Sequence, residues 1–196
     1  MKEEKMDRRV RKTRAVLGDV FMKLLAEKEL KDISVKELTE LADVNRGTFY
    51  LHYTDVYDML DKIEMELFEE FNQILDKNLH QNTVSVYGLF KDIFDYLQDN
   101  KDAAKVLMGP HGDLAFINRM EDLVKGRLKN MPELIAPIRD DFEFIYAFIA
   151  SGCIGVIEHW LNSDHPYPPE IIARQCSNMI IRGLPSILEP HLQSDY

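Results

Sequence analysis

Cysteine is nearly absent: Cys153 and Cys176 are the only two in 196 residues. They lie in apolar stretches without CxxC spacing. That argues against a cysteine-built zinc site or a disulfide framework, and two buried, reduced thiols are expected. Basic residues are also scarce, with 24 Lys and Arg against 34 Asp and Glu, a net charge of −10. No phosphate-cradling Gly-rich loop, no HExxH and no GxSxG occurs. His80, His111, His159, His165 and His191 are scattered, so no enzyme is expected, and neither a metal nor a cofactor. The N-terminus is charged rather than apolar, which predicts no secretory signal and a cytoplasmic location. The longest apolar run, Phe144 to Ile157, is too short to span a bilayer and is flanked by Asp140, Asp141, Glu143 and Glu158. A buried helix and no membrane partner are expected there.

What is present is 45% apolar residues, enough for a sizeable core in one large or two modest domains. The charge is uneven. Residues 1–55 hold twelve basic and eleven acidic side chains, and the remainder twelve and 23. The start is more basic still, with Lys2, Lys5, Arg8, Arg9, Arg11, Lys12 and Arg14 against Glu3, Glu4 and Asp7. A basic tip on an acidic body steers the tip toward phosphates. A solvated tail carries the same pattern.

Periodicity predicts an all-α fold. A first helix over about Arg8–Glu27 aligns Leu17, Val20, Phe21, Leu24 and Leu25 on one stripe. Two short helices follow, then a long one from about Asp55 to Leu79 with Tyr57, Leu60, Leu67, Phe68, Phe71 and Leu75 as its apolar positions. Further helices are expected over Val84–Gln98, Lys101–Met108 and Leu114–Lys129. A Gly109-Pro110-His111-Gly112 break separates the last two. Pro132 and Pro137 mark a turn before an apolar helix over Asp141–Asn162. Pro166, Pro168 and Pro169 precede a final helix, Glu170–Gly183, which Pro185 ends. Phe142–Trp160 is apolar nearly all round, so burial on more than one side is expected, and Ala147, Ser151 and Gly155 make a smooth groove. By pattern alone these last two helices either fill one chain's core or pair with their copies as a four-helix bundle.

The densest information lies in Ile33–Tyr53, ISVKELTELADVNRGTFYLHY. Ser34 followed by Glu37 is a capping box. Val35, Leu38 and Leu41–Ala42 repeat at helical spacing, the run breaks at Asp43-Val44-Asn45, and Asn45 is a second N-cap. This reads as a helix-turn-helix, a motif whose second helix enters the major groove, although any all-helical protein can hold two capped helices joined by a turn. Gly47 lets the backbone approach DNA. Arg46, Thr48 and Tyr50 can reach base edges or phosphates, and His52 a phosphate. Phe49 and Tyr53 fall on the inner face.

The helix-turn-helix followed by GTFYLHY and Asp55 resembles the signature of the TetR family of bacterial transcription regulators. The resemblance implies base reading by Arg46, Gly47, Thr48 and Tyr50, backed by Asn45, and phosphate contacts from Ser34, Lys36, Tyr50 and His52. Many members carry a Lys just after the signature for a further phosphate contact; this chain has Thr54 and Val56 there. The resemblance also implies residues 1–54 as a DNA-binding domain and 55–196 as a dimerisation and effector domain. The last two helices would then form a homodimer on a pseudo-palindromic, double-stranded operator. A repressor released by an effector is expected, with an activator or adaptor controlled by a protein partner as the alternative. The stretches YLQDNKDAAKVLMGPHG, FINRMEDLVKGRL and FIYAFIASGCIGVIEHWLNSDHPYPPEIIA resemble the branch that includes regulators of dihydroxyacetone kinase genes, some of which respond to a protein partner. Candidate effector-lining residues are Phe90, Phe94, Met108, His111, Phe116, Met120, Tyr146 and Trp160, though aromatics and Met at helical spacing are more often plain core.

Overall fold

A computed structural model describes residues 2–79, 85–131, 140–164 and 167–183, with side chains from Arg8 onward. The turns expected at Pro132, Pro137, Pro166 and Pro185, the start of the fifth helix at Val84, and His80, His165 and His191 lie outside these residues. Among the described residues the chain is all-α, without a strand. The helices are α1 Lys2–Glu27, α2 Val35–Leu41, α3 Arg46–Tyr50, α4 Val56–Leu79 and α5 Val86–Asp99. They continue with α6 Lys101–Leu107, α7 Leu114–Lys129, α8 Phe142–Asn162 and α9 Pro169–Arg182. A single 3-10 turn, Leu30–Asp32, joins α1 to α2.

The chain divides into two compact units. The first holds the residues up to Glu69 together with Asp102–Phe116; the second holds Glu70–Lys101 and the chain from Ile117 onward. Helix α4 therefore runs through both. In the first unit, α1 contributes Leu17, Phe21 and Leu25, α2 Leu38, α3 Phe49 and α4 Met59 to a core closed to solvent. The α1 stripe is the one its 3.6-residue period predicts. On α4 the pattern is less reliable: Tyr57, expected inward, is exposed, whereas the carboxylate Glu64 is buried. Tyr57 lies in the first turn of α4, where its neighbours Val56, Met59 and Leu60 are the buried ones.

In the second unit α5 and α9 pack side by side. Phe94 of α5 meets Trp160 of α8 edge to face, 5.3 Å between centroids. Phe71, Leu75 and Leu79 form a second cluster with Leu89, Ile93, Met120, Leu123, Val124 and Met131. Lys91 joins Asp95 at 2.5 Å and Glu170 at 3.4 Å, tying α5 to the start of α9. Helix α9 begins with Pro169, whose missing N–H costs nothing in a first turn, and ends at Gly183. Gly183 has φ 70°, in the left-handed region that a side chain would strain. Burial pushes the Cys153 thiol up to about 12 and the Cys176 thiol up to about 11, so both stay protonated.

Helix α8 departs from expectation in two ways. It runs 21 residues and contains an 18-residue window of mean hydropathy 1.5, long and apolar enough to cross a membrane by length and composition, although the uncharged apolar run within it is shorter. It is also not buried on several sides. Phe142, Trp160 and Leu161 face the unit, but Phe144 is 81% and Phe148 76% exposed, and Ala147, Ser151, Gly152 and Gly155 are exposed beside them. The same chain covers one side of α8 and leaves the opposite apolar stripe open.

The break between α6 and α7 shows why its glycines are there. A Cβ on Gly112 would lie 1.9 Å from the carbonyl oxygen of Leu107, a backbone atom that cannot move aside. A Cβ on Gly126, within α7, would meet nothing within 4 Å. Gly112→Ala is expected to lower the melting temperature by several degrees. Gly126→Ala should raise stability by about 0.5–1 kcal/mol, since Ala gives up less backbone entropy in a helix. Thermal and urea denaturation of the two variants measure the contrast; equal effects would show that the Leu107 carbonyl does not press on Gly112.

Candidate nucleic-acid interface

Helix α3 is only five residues long, too short to persist without help. Three features define it. Asn45 caps it, its side-chain oxygen accepting the Gly47 N–H at 2.7 Å. Phe49 is fully buried and Tyr53, just beyond the helix, nearly so; their rings lie 5.4 Å apart. The turn before it places Asp43 at φ 50°, a conformation a short polar side chain tolerates, and returns the Val44 N–H to the Thr39 carbonyl at 3.0 Å. Buried Thr39 also donates its hydroxyl to the Val35 carbonyl at 2.7 Å, so this polar side chain is satisfied inside α2.

Ser34 caps α2 by accepting the Glu37 N–H at 3.2 Å, but the capping box is only half formed. The Glu37 carboxylate instead holds the Lys28 ammonium, at 2.6 and 2.7 Å, and so fastens the end of α1 to α2. A full charge attracts that carboxylate more strongly than one backbone amide does.

With Phe49 and Tyr53 turned inward, the outer surface of the motif carries the rest. Ser34, Lys36, Asn45, Arg46 and Gly47 are exposed, Tyr50 is 58% exposed, and Thr48 and His52 are half-buried. Among the described residues Arg46 is paired with Glu40 at 3.9 Å, a loose surface pair. Leu51, which the sequence reading passed over, is 79% exposed.

Two further cations, Arg14 and Lys62, are engaged within the unit. Arg14 belongs to the basic N-terminal run, yet its guanidinium binds the Glu66 carboxylate and donates to the Tyr53 hydroxyl at 3.4 Å. Those two partners raise its pKa further. It anchors α1 to α4 and does not project outward with Arg8, Arg9, Arg11 and Lys12, which are exposed on α1. Lys62, in the second turn of α4, donates to the His52 carbonyl at 2.9 Å and to Asp58 at 2.9 Å. It thereby satisfies a carbonyl at the end of the motif. The start of α4, where the family's extra Lys would stand, is an acidic cap: Asp55 accepts the Asp58 N–H and Asp58 accepts the Thr54 N–H, each at 2.8 Å. The Thr54 amide and Lys62 hold the Asp58 carboxyl below its ordinary pKa. The Asp58–Lys62 spacing of four residues was the available signal for this pairing.

The candidate effector residues fall in different places. Met108, His111 and Phe116 belong to the first unit and the other five to the second. Within the second, Phe94 pairs with Trp160, Met120 joins the Phe71 cluster, and Tyr146 stacks on Phe142 while donating to the Glu121 carbonyl at 2.7 Å. Phe90 is buried on α5. An open cleft of about 600 Å³ takes in Trp160 but is otherwise walled by Asp95, Gln98, Lys101, Tyr167, Pro168, Pro169 and Glu170.

A family model described as the C-terminal region of transcriptional regulators, of TetR type, matches residues 85–182. The chain belongs to the TetR family of transcription regulators. The matched family and the curated relative are transcription regulators, not enzymes. A curated relative, the uncharacterised HTH-type transcriptional regulator YxbF of Bacillus subtilis strain 168, is 25% identical over 185 residues, covering 89% of this chain. This TetR chain spans about half, 46%, of that relative's length. The fold is shared with a TetR regulator from Streptococcus agalactiae, with TM-score 0.60, 22% identity, and 91% and 98% of the two chains covered. It is also shared with the dihydroxyacetone kinase operon activator DhaS, with TM-score 0.53, 18% identity, and 87% and 94% covered.

The anchoring of α3 has a direct consequence. Phe49→Ala should destabilise the first unit by about 3–5 kcal/mol, the cost of emptying a buried aromatic site. Asn45→Ala should cost about 1 kcal/mol through the lost cap. Chemical denaturation of both variants checks the order; an Asn45 effect as large as that of Phe49 would mean that the cap, not the core, holds the helix.

Proposed function

We propose that this TetR protein is a homodimeric, DNA-binding transcription regulator of the cytoplasm that acts on a pseudo-palindromic operator. Residues 1–54 read the DNA, and residues 55–196 provide the dimer contact and the effector response. The observation that carries this reading is the two-sided α3. Its inner face is fixed by Phe49, while Arg46, Gly47 and Tyr50 stand open beside Thr48 and His52 on a helix with little else to hold. Arg46, Thr48 and Tyr50 face bases, and Ser34, Lys36 and His52 face phosphates. The open apolar stripe of α8 supports pairing with a second copy, because Phe144 and Phe148 gain most by leaving water there.

Repression relieved by an effector is the simplest mode. Because α4 runs through both units, an effector acting on the second unit could bias α4 and so the spacing of two reading helices; DNA and effector would then each favour a different spacing. Activation under a protein partner is the second reading, favoured by the shared fold with an operon activator.

Operator selection from a randomised duplex library tests the reading. Arg46→Ala and Thr48→Ala should leave melting unchanged and shift preference at particular base pairs by about 1–3 kcal/mol. Variants that select and bind the same sequences as the wild type would remove α3 as the reader. For the dimer, sedimentation should show a two-chain species for the wild type and a folded single chain for Gly155→Arg. That substitution sets an unpaired charge in the paired stripe. A wild type that sediments as one folded chain at micromolar concentration contradicts the pairing.

A further inference from the structure

We propose that Leu51 is a specificity-determining residue that packs against the C5-methyl group of a thymine in the major groove. This rests on the DNA-reading role given to α3 above and names one base feature that the helix detects. Leu51 is the most exposed large apolar side chain among the described residues of the first unit, at 79%. It is not on a loose end. It is the C-cap of α3, in helical conformation at φ −72° and ψ −18°, with its N–H directed at the Thr48 carbonyl at 3.3 Å. Its place on the helix is therefore fixed by backbone, while its side chain does nothing for the core that Phe49 fills.

Leu51 follows Gly47 by four residues, so the two lie on one face, with Tyr50 beside them. Above Gly47 an added Cβ would meet only the Asn45 side-chain oxygen, at 3.1 Å, so no other element of the unit stands over that position. The face is bare backbone followed by a projecting isobutyl group. Bare backbone allows close entry into the groove, and an isobutyl group can neither donate nor accept a hydrogen bond. Against base edges its complement is the thymine methyl, the apolar group that marks A·T pairs in the major groove. Arg46 and Tyr50, exposed on the same short helix, cover the polar part of the same edges.

The experiment uses the full chain and the duplex selected from the operator library, with each thymine replaced in turn by deoxyuridine, which removes only the methyl. The wild type should lose affinity about fourfold per half-site at one thymine position, the worth of one buried methylene-sized group. Leu51→Ala should bind the thymine duplex correspondingly less well and show no further loss with deoxyuridine at that position. Leu51→Met, still apolar, should keep the discrimination, and melting of all three proteins should be unchanged. The proposal is overturned if Leu51→Ala binds every duplex as the wild type does. It is equally overturned if Leu51→Ala weakens binding but keeps the full deoxyuridine effect at every thymine, which would place Leu51 on sugar. If the wild type selects no duplex, the DNA-reading role itself fails first. If it selects one and the Leu51 pattern is absent, only the present inference fails.

Discussion

The burial of Phe49 is the constraint on which the rest of this structure depends. A helix of five residues has too few internal hydrogen bonds to repay the ordering of its own backbone. Its order is supplied from outside, by the burial of one aromatic ring in a unit where Leu17, Phe21, Leu38 and Met59 are buried too, and by the Asn45 cap. Once the inner face is committed in this way, the outer face need not contribute to stability. Residues there can be chosen for what they meet rather than for what they hold. Arg14 and Lys62 extend the same logic, since each gives its charge to fixing the motif, through Glu66 and Tyr53 or through His52 and Asp58.

The second unit has the opposite character. Its core clusters are closed, but α8 presents Phe144 and Phe148 to water along a stripe of small residues. Surfaces of this kind are rarely left bare, and the proposed pairing with a second copy rests on this stripe. The ties from the unit to the other side of α8 are polar as well as apolar. Glu143 meets Lys125 and Lys129 at 2.6 and 2.7 Å, and these lysines lie over the rings of Tyr146 and Phe142. Glu143 is thereby held at a pKa of about 2, ionised at any physiological pH.

Much of the fold was legible because the apolar residues keep a helical period and the caps sit where helices begin. Ser34, Asn45 and the Gly-Pro-His-Gly break were readable for that reason, as was the inward set of Leu17, Phe21, Phe49 and Tyr53. What was not legible depended on neighbours distant in sequence. Glu37 looked like half of a capping box, but Lys28, nine positions earlier, competes for its carboxylate. Arg14 looked like part of a basic tip until Glu66 is brought against it by the fold. Helix α8 looked buried on more than one side because composition reports hydrophobicity and not which faces the unit covers. Residue type alone does not distinguish a pocket wall from packing such as the Phe94–Trp160 pair.

Two tyrosines three positions apart mark the two faces of the motif: Tyr50 is 58% exposed and Tyr53 only 4%. Hydroxyl-radical footprinting of the protein alone and bound to its selected duplex compares the same side chain inside and outside. Tyr50 should be oxidised readily in the free protein and protected by DNA, while Tyr53 stays unreactive in both. Tyr50 remaining equally reactive while DNA is bound would contradict the assignment of the outer face of α3 to DNA.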